Sequence, residues 1–261
     1  NGRARATCVQ STTGFGWFGS VMVVLGVYSG ITAVVGGVLA WRVHRHVDVE
    51  WRRVLGAVGL VGVTLVLLAI ASGSGHFGLR DVPGIQTLEL RFAANAAVTM
   101  AGATGLAFCV LAPTFSSPKA PPHLLGERVR TLGITRDAER WGATLLAAQF
   151  AIVAAAGSMV LLALRQSDAD DASSNPLPNI VFALVFSTIL MAAHMSSISR
   201  LRDEQQRIER ELDSLPPRYR ANAQPKLIAT TFDDGGWGFR AFLALPLIVT
   251  LATSAAIAFV G

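Results

Sequence analysis

The amino-acid sequence predicts an all-α integral membrane protein: a bundle of six transmembrane helices in which helix 5 runs on beyond the membrane. Three observations predict it. Apolar residues make up 52% of the 261 positions and charged ones 15%, with a mean hydropathy of +0.49; a soluble domain carries about 25% charge. Six windows, 6–41, 54–79, 92–118, 141–164, 172–199 and 241–261, hold no Asp, Glu, Lys or Arg. The shortest of these has 21 residues, and about 20 apolar residues suffice to cross a hydrocarbon core of roughly 30 Å. The basic residues, finally, alternate from loop to loop.

The spans expected from these windows are 17–40, 54–74, 92–112, 142–164, 179–199 and 241–260. The first could also be read as a signal peptide. Its apolar run is longer than a signal core, and Arg42 and Arg45 follow it, so a retained helix is expected. Before it, residues 1–16 form a polar tail rich in Arg, Ser and Thr without any acid, like the remnant of a targeting segment. Residues 17–261 are expected to form one domain.

Loops 41–53, 113–141 and 200–240 together hold 17 of the 22 basic residues. Such a bias places them on one side, the cytoplasm of a bacterium or the stroma or matrix of an organelle. Both termini then face the other side, as does the acidic turn 166–178. Only Lys119 and Lys226 are lysines among the basic residues. They and the arginines are dispersed over the loops, which speaks against nucleic acid as a partner. The five tryptophans, Trp17, Trp41, Trp51, Trp141 and Trp237, fall near span ends, where amphipathic rings sit at the headgroup level.

Loop 113–141 opens with a proline-rich run that bars a helix, followed at 127–141 by an interfacial or short helical piece. After span 5 the residues Ile198, Leu201, Gln205, Ile208, Leu212 and Leu215 recur at spacings of three and four. The pairs Arg200–Glu204, Asp203–Arg207 and Arg207–Glu211 stand at i,i+4. Span 5 is therefore expected to continue as a helix to about residue 214, where Leu-Pro-Pro ends it. Its seam either lies on the protein's own loops or receives a partner helix through Leu201, Ile208 and Leu212.

Lipid is as apolar as leucine, so close backbone approach at small residues contributes much of the packing between membrane helices. The packing candidates are Gly26, Gly30, Gly36 and Gly37 on span 1, Gly56, Gly59 and Gly62 on span 2, Gly102 and Gly105 on span 3, and Ala154, Ala155, Ala156, Gly157 and Ser158 on span 4. Charge is absent from every window, which argues against a proton pump, a voltage sensor or a carboxylate-coupled antiporter. Among the few polar residues in the spans, Asn95, Thr99, Gln149 and His194 are the candidates for a ligand pocket or pore lining. Ordinary interhelical hydrogen bonding is the plainer expectation for them.

The cysteines, Cys8 and Cys109, have no metal-site spacing, and no catalytic motif is found. No cofactor is expected beyond bound lipid; a pigment or haem at His194 is a minor option. Two functions fit: a non-catalytic subunit of a larger membrane assembly, partnered by lipid and by other subunits or itself, or a channel or facilitator with a polar path near Asn95, Gln149 and His194.

Overall fold

The computed structural model describes residues 13–59, 99–100, 102–118, 125–166, 176–214, 216–217 and 236–260. They are almost all helical. The elements in chain order are α1 (Thr13–His46), β1 (Val47–Val49), α2 (51–59), α3 (Gly102–Leu111), β2 (Ser116–Pro118), α4 (Leu125–Gln166), α5 (Leu177–Asp213), α6 (Gly236–Leu243) and α7 (Leu245–Val260).

Three helices are long and apolar enough to cross a membrane, over Gly16–His46, Leu125–Ala163 and Asn179–Asp213. Gly102–Leu111 and Leu245–Ile257 are shorter apolar helices. Expected span 2 lies largely outside the described residues, and expected span 3 is described only at 99–100 and from residue 102 on. Expected span 6 is interrupted: α6 stops at Leu243 and α7 starts at Leu245. Pro246 brings no N–H to a continuous ladder, and Ala244 sits between the helices with its N–H on the Arg240 carbonyl at 3.3 Å.

α4 is central, touching α1, α5, α6 and α7. It is also longer than expected. Residues 127–141 are no separate interfacial piece but the first turns of one 42-residue helix. Helix propensity continues through the segment because the prolines end at Pro122. α5 runs 37 residues to Asp213, where the Ser214 N–H turns back onto the Glu211 carbonyl at 3.2 Å, close to the expected end.

The outer halves of α4 and α5 form an antiparallel hairpin. Val129 and Leu132 of α4 pack with Leu201, Ile208 and Leu212 of α5, all buried. Of the two expectations for the seam, packing on the protein's own chain is the one that Leu201, Ile208 and Leu212 follow. Burial of each such side chain contributes roughly 1.5–3 kcal/mol, which a hairpin in water captures without any second molecule.

A small antiparallel pairing departs from the all-α expectation: Val47, Asp48 and Val49 face Pro118, Ser117 and Ser116. Val47 and Val49 turn inward to join Val43, Val54, Phe108 and Cys109, the alternation that a two-residue strand period imposes. The pairing ties loop 41–53 to loop 113–141. An Arg128 clamp to Glu204 and Glu211 ties loop 113–141 to the extension of α5. The three segments that carry most of the basic residues therefore gather at one end of the bundle, hereafter the basic end.

Of the glycines expected on packing faces, only some set helix spacing within the chain. A Cβ at Gly30, Gly56 or Gly59 would meet nothing within 4 Å, Gly26 is half-buried, and Gly62 lies outside the described residues. The close approaches are at Gly36 and Gly105, where a Cβ on either would stand 3.1–3.2 Å from the other's backbone. At Gly142 a Cβ would come within 2.9 Å of the Cys109 Cβ, and at Gly102 within 2.7 Å of the Thr32 hydroxyl. Glycine faces were legible; which of them meet another helix depended on three-dimensional partners.

Candidate functional site

Among the described residues, three clusters of polar side chains involve the candidate residues or join the long helices. The first forms where α1, α4 and the residues leading into α3 meet. Leu25, Ser29, Thr32, Gly36 and Val43 recur on the inward face of α1 at helical spacing. Between Ser29 and Thr32 enters Gln149 of α4, fully buried. Its amide nitrogen donates to the Thr99 carbonyl at 2.8 Å and to the Ser29 hydroxyl at 3.4 Å, and its oxygen accepts from the Thr32 hydroxyl at 3.3 Å. The Ser29 and Thr99 hydroxyls share a hydrogen at 3.1 Å. Gly102 leaves room for this knot beside Thr32.

The second cluster joins α4, α5 and α7 at the end away from the basic loops. Asn179 donates to the Ser158 hydroxyl at 3.1 Å and to the Ala154 carbonyl at 3.2 Å, and Thr253 donates to the Ser158 hydroxyl at 2.7 Å. Gly157 makes the approach possible, since a Cβ there would lie 2.8 Å from the Asn179 oxygen.

The third cluster contains a candidate, His194, and the residue sequence reasoning missed, Glu139. His194 of α5 donates from Nδ1 to the Glu139 carboxylate of α4 at 2.6 Å, and both side chains are only 3% exposed. The Phe239 ring of α6 covers the imidazole at a centroid distance of 4.9 Å. The Arg140 guanidinium lies over the Phe239 ring, 5.7 Å from its centroid. Glu139 stands outside the charge-free window, in the expected loop 113–141. The signal was present: continued from span 4 at spacings of three and four, the inward positions Phe150, Leu146, Ala143 and Glu139 lead on to Thr135, Leu132 and Arg128. A carboxylate on that stripe must find a partner, because burying it alone is prohibitive.

Among the four candidate lining residues, Thr99 and Gln149 meet. His194 does not join them: its partner Glu139 lies ten residues from Gln149 on α4, about 15 Å along the axis. Asn95 lies outside the described residues. No group of three or more His, Cys, Asp or Glu that could hold a metal occurs among the described residues. An apolar cleft of about 110 Å³ opens beside the first cluster, with Met100, Ala103, Thr104, Phe150 and Phe186 in its walls.

At the basic end, Arg128 is 8% exposed and bonds Glu204 and Glu211 at 2.6 Å each, with a further Nε bond to Glu204 at 3.2 Å. The Glu211 hydrogen bond, then Glu204, outweigh burial and push the guanidinium above its ordinary value. A raised folded-state value stabilises at every pH below the ordinary arginine range, so the arginine side of this clamp does not titrate near neutrality. Compared with known proteins, the chain matches no family model, no curated protein and no solved structure.

Proposed function

We propose that this chain is a non-catalytic multi-pass subunit of a larger membrane assembly. The observation that carries the reading is the outer face of α1. Val23, Val27, Ile31, Val34 and Val38 form one exposed stripe, and Gly30 interrupts it with no atom near where a Cβ would be. A stripe notched by a small residue is the shape that receives another helix in lipid. The polar residues nearest mid-helix add support, because they hydrogen-bond to one another rather than to a passing solute. Six spans, with the basic loops on the cytoplasmic, stromal or matrix side, complete the proposal.

Mass measurement in mild detergent tests it. The expected result is a complex heavier than the single chain, dissociated by Gly30→Leu without loss of the folded monomer. A stable lone monomer of the unaltered chain, extracted from its own membrane, would end the reading.

A second reading, a channel or facilitator, has one observation in its favour: Thr99 and Gln149 do converge, on the hydroxyls of Ser29 and Thr32. It expects solute flux into liposomes that Gln149→Leu alters. Unchanged flux, or none across a broad panel, removes it.

A further inference from the structure

The i,i+4 ion pairs expected along α5 do not form, and their failure exposes a site. Glu204 should have met Arg200, and Glu211 should have met Arg207. Instead Arg128 reaches across from α4 and takes both carboxylates at 2.6 Å. Among the described residues no ion pair or hydrogen bond engages the guanidinium of Arg200 or Arg207. Both line a cleft of about 140 Å³ between β2, α4 and α5. They stand seven residues apart, two turns on one helix face, or about 10 Å along the axis. Two long arginine side chains can close on one small anion from either side of that gap.

The opposite wall supplies neutral donors. Ser116, Ser117 and Thr131 line the cleft, and their hydroxyls make no hydrogen bond in the described residues. Thr131 belongs to the buried face of α4, so its hydroxyl is held in place rather than free on the surface. Asp203 also lines the cleft, between the two arginines, and is joined to neither. Arg128 is shared between Glu204 and Glu211. The charged residues that line the cleft are Arg128, Arg200 and Arg207 against Asp203 and Glu204, a net single positive. That balance favours a monoanion over a dianion.

The cleft also sits at a defined depth. Arg200 is the first charge after the apolar window 172–199, and Pro113 and Ser116 close the apolar run that holds α3. A pocket at the rim of an apolar slab, lined by arginine, is where the phosphates of a bilayer lie.

We propose that the Arg200–Arg207 cleft binds a phosphate group carrying one negative charge, as the phosphodiester of an anionic phospholipid does. The guanidinium groups donate paired hydrogen bonds to its oxygens, and the serine and threonine hydroxyls complete the shell. The proposal is independent of whether the chain is a subunit or a channel.

Native mass spectrometry of the intact chain tests it, with phosphatidylglycerol and phosphatidylcholine of identical tails offered together. Phosphatidylglycerol is expected to be retained preferentially. At about 1 kcal/mol per arginine near a membrane surface, R200Q or R207Q should weaken retention about fivefold and the double variant about 30-fold. R210Q, on the same helix but outside the cleft, should leave retention unchanged, and melting in phosphatidylcholine alone should be unchanged in all three single variants. Inorganic phosphate is the second probe. Failure to displace the lipid assigns the site to headgroups; displacement that the double variant abolishes assigns it to free phosphate, with the same residues. Equal retention by the unaltered chain and the double variant, or an equal loss in R210Q, overturns the proposal.

Discussion

The same two helices, α4 and α5, hold together by different means in their two halves. Toward the basic end they join through an apolar seam, Val129 and Leu132 against Leu201, Ile208 and Leu212, edged by the Arg128 clamp. Within the apolar slab they join through stacked rings, Phe150 on Phe186 at a centroid distance of 3.5 Å, and through the neutral Asn179–Ser158 bond. α1 and α3 go further and rely on bare glycine backbone at Gly36 and Gly105. The difference follows the solvent. In water, hiding leucine is favourable and solvated charges are cheap. In lipid neither holds, so helices gain from close packing and from polar groups that satisfy each other. His194 and Glu139 sit where one regime gives way to the other.

That contrast can be broken at its boundary first. His194→Leu strands the buried Glu139 carboxylate and is expected to cost about 3–5 kcal/mol, read as a loss of folded protein in detergent melting. Replacing both residues by apolar ones of similar volume should recover most of the loss; if it does not, the pair does more than satisfy itself. Ile208→Ala, in the watery half, is expected to cost about 2–4 kcal/mol through the cavity it leaves. Its effect should fade when the hairpin is shielded from water, and equal destabilisation in every medium would weaken the solvent argument.

Gly105→Val sharpens the other half. Its new Cβ would press on the Gly36 backbone at 3.1 Å, where no side chain can yield, and overpacking of this kind costs about 1–3 kcal/mol. Gly30→Val, with open space around it inside the chain, should leave the melting of the isolated monomer unchanged. Gln149→Leu is the smallest of the expected losses, about 1–2 kcal/mol for the bonds to Ser29, Thr32 and Thr99. A much larger loss would mean that Gln149 organises the α1–α4 contact beyond those bonds.

The sequence disclosed the class of the molecule because the absence of charge over 21 or more residues is a one-dimensional signal. It also disclosed the extension of α5, since heptad spacing and the Leu-Pro-Pro stop are local. The partner of that extension was not legible. Val129 and Leu132 lie in a segment whose neighbours, Arg128, Arg130, Arg136 and Arg140, mask its apolar stripe in any average. Glu139 was hidden for the same reason. Thr99 and Gln149 could be singled out as polar in an apolar setting, but Ser29 and Thr32 were passed over among the glycines and valines of α1. Whether polar residues on different helices meet depends on helix rotation and register, which no spacing within one helix reveals.

The length of α4 has a mechanical consequence. Forty-two residues in one unbroken helix make a rod of about 63 Å, roughly twice the thickness of a hydrocarbon core. Arg128 near one end, Glu139, Gln149 and Ser158 all ride on it. One rigid element thus spans the clamp, the amide knot and the far asparagine contact, so that the helices bound at each of these points share a single shaft.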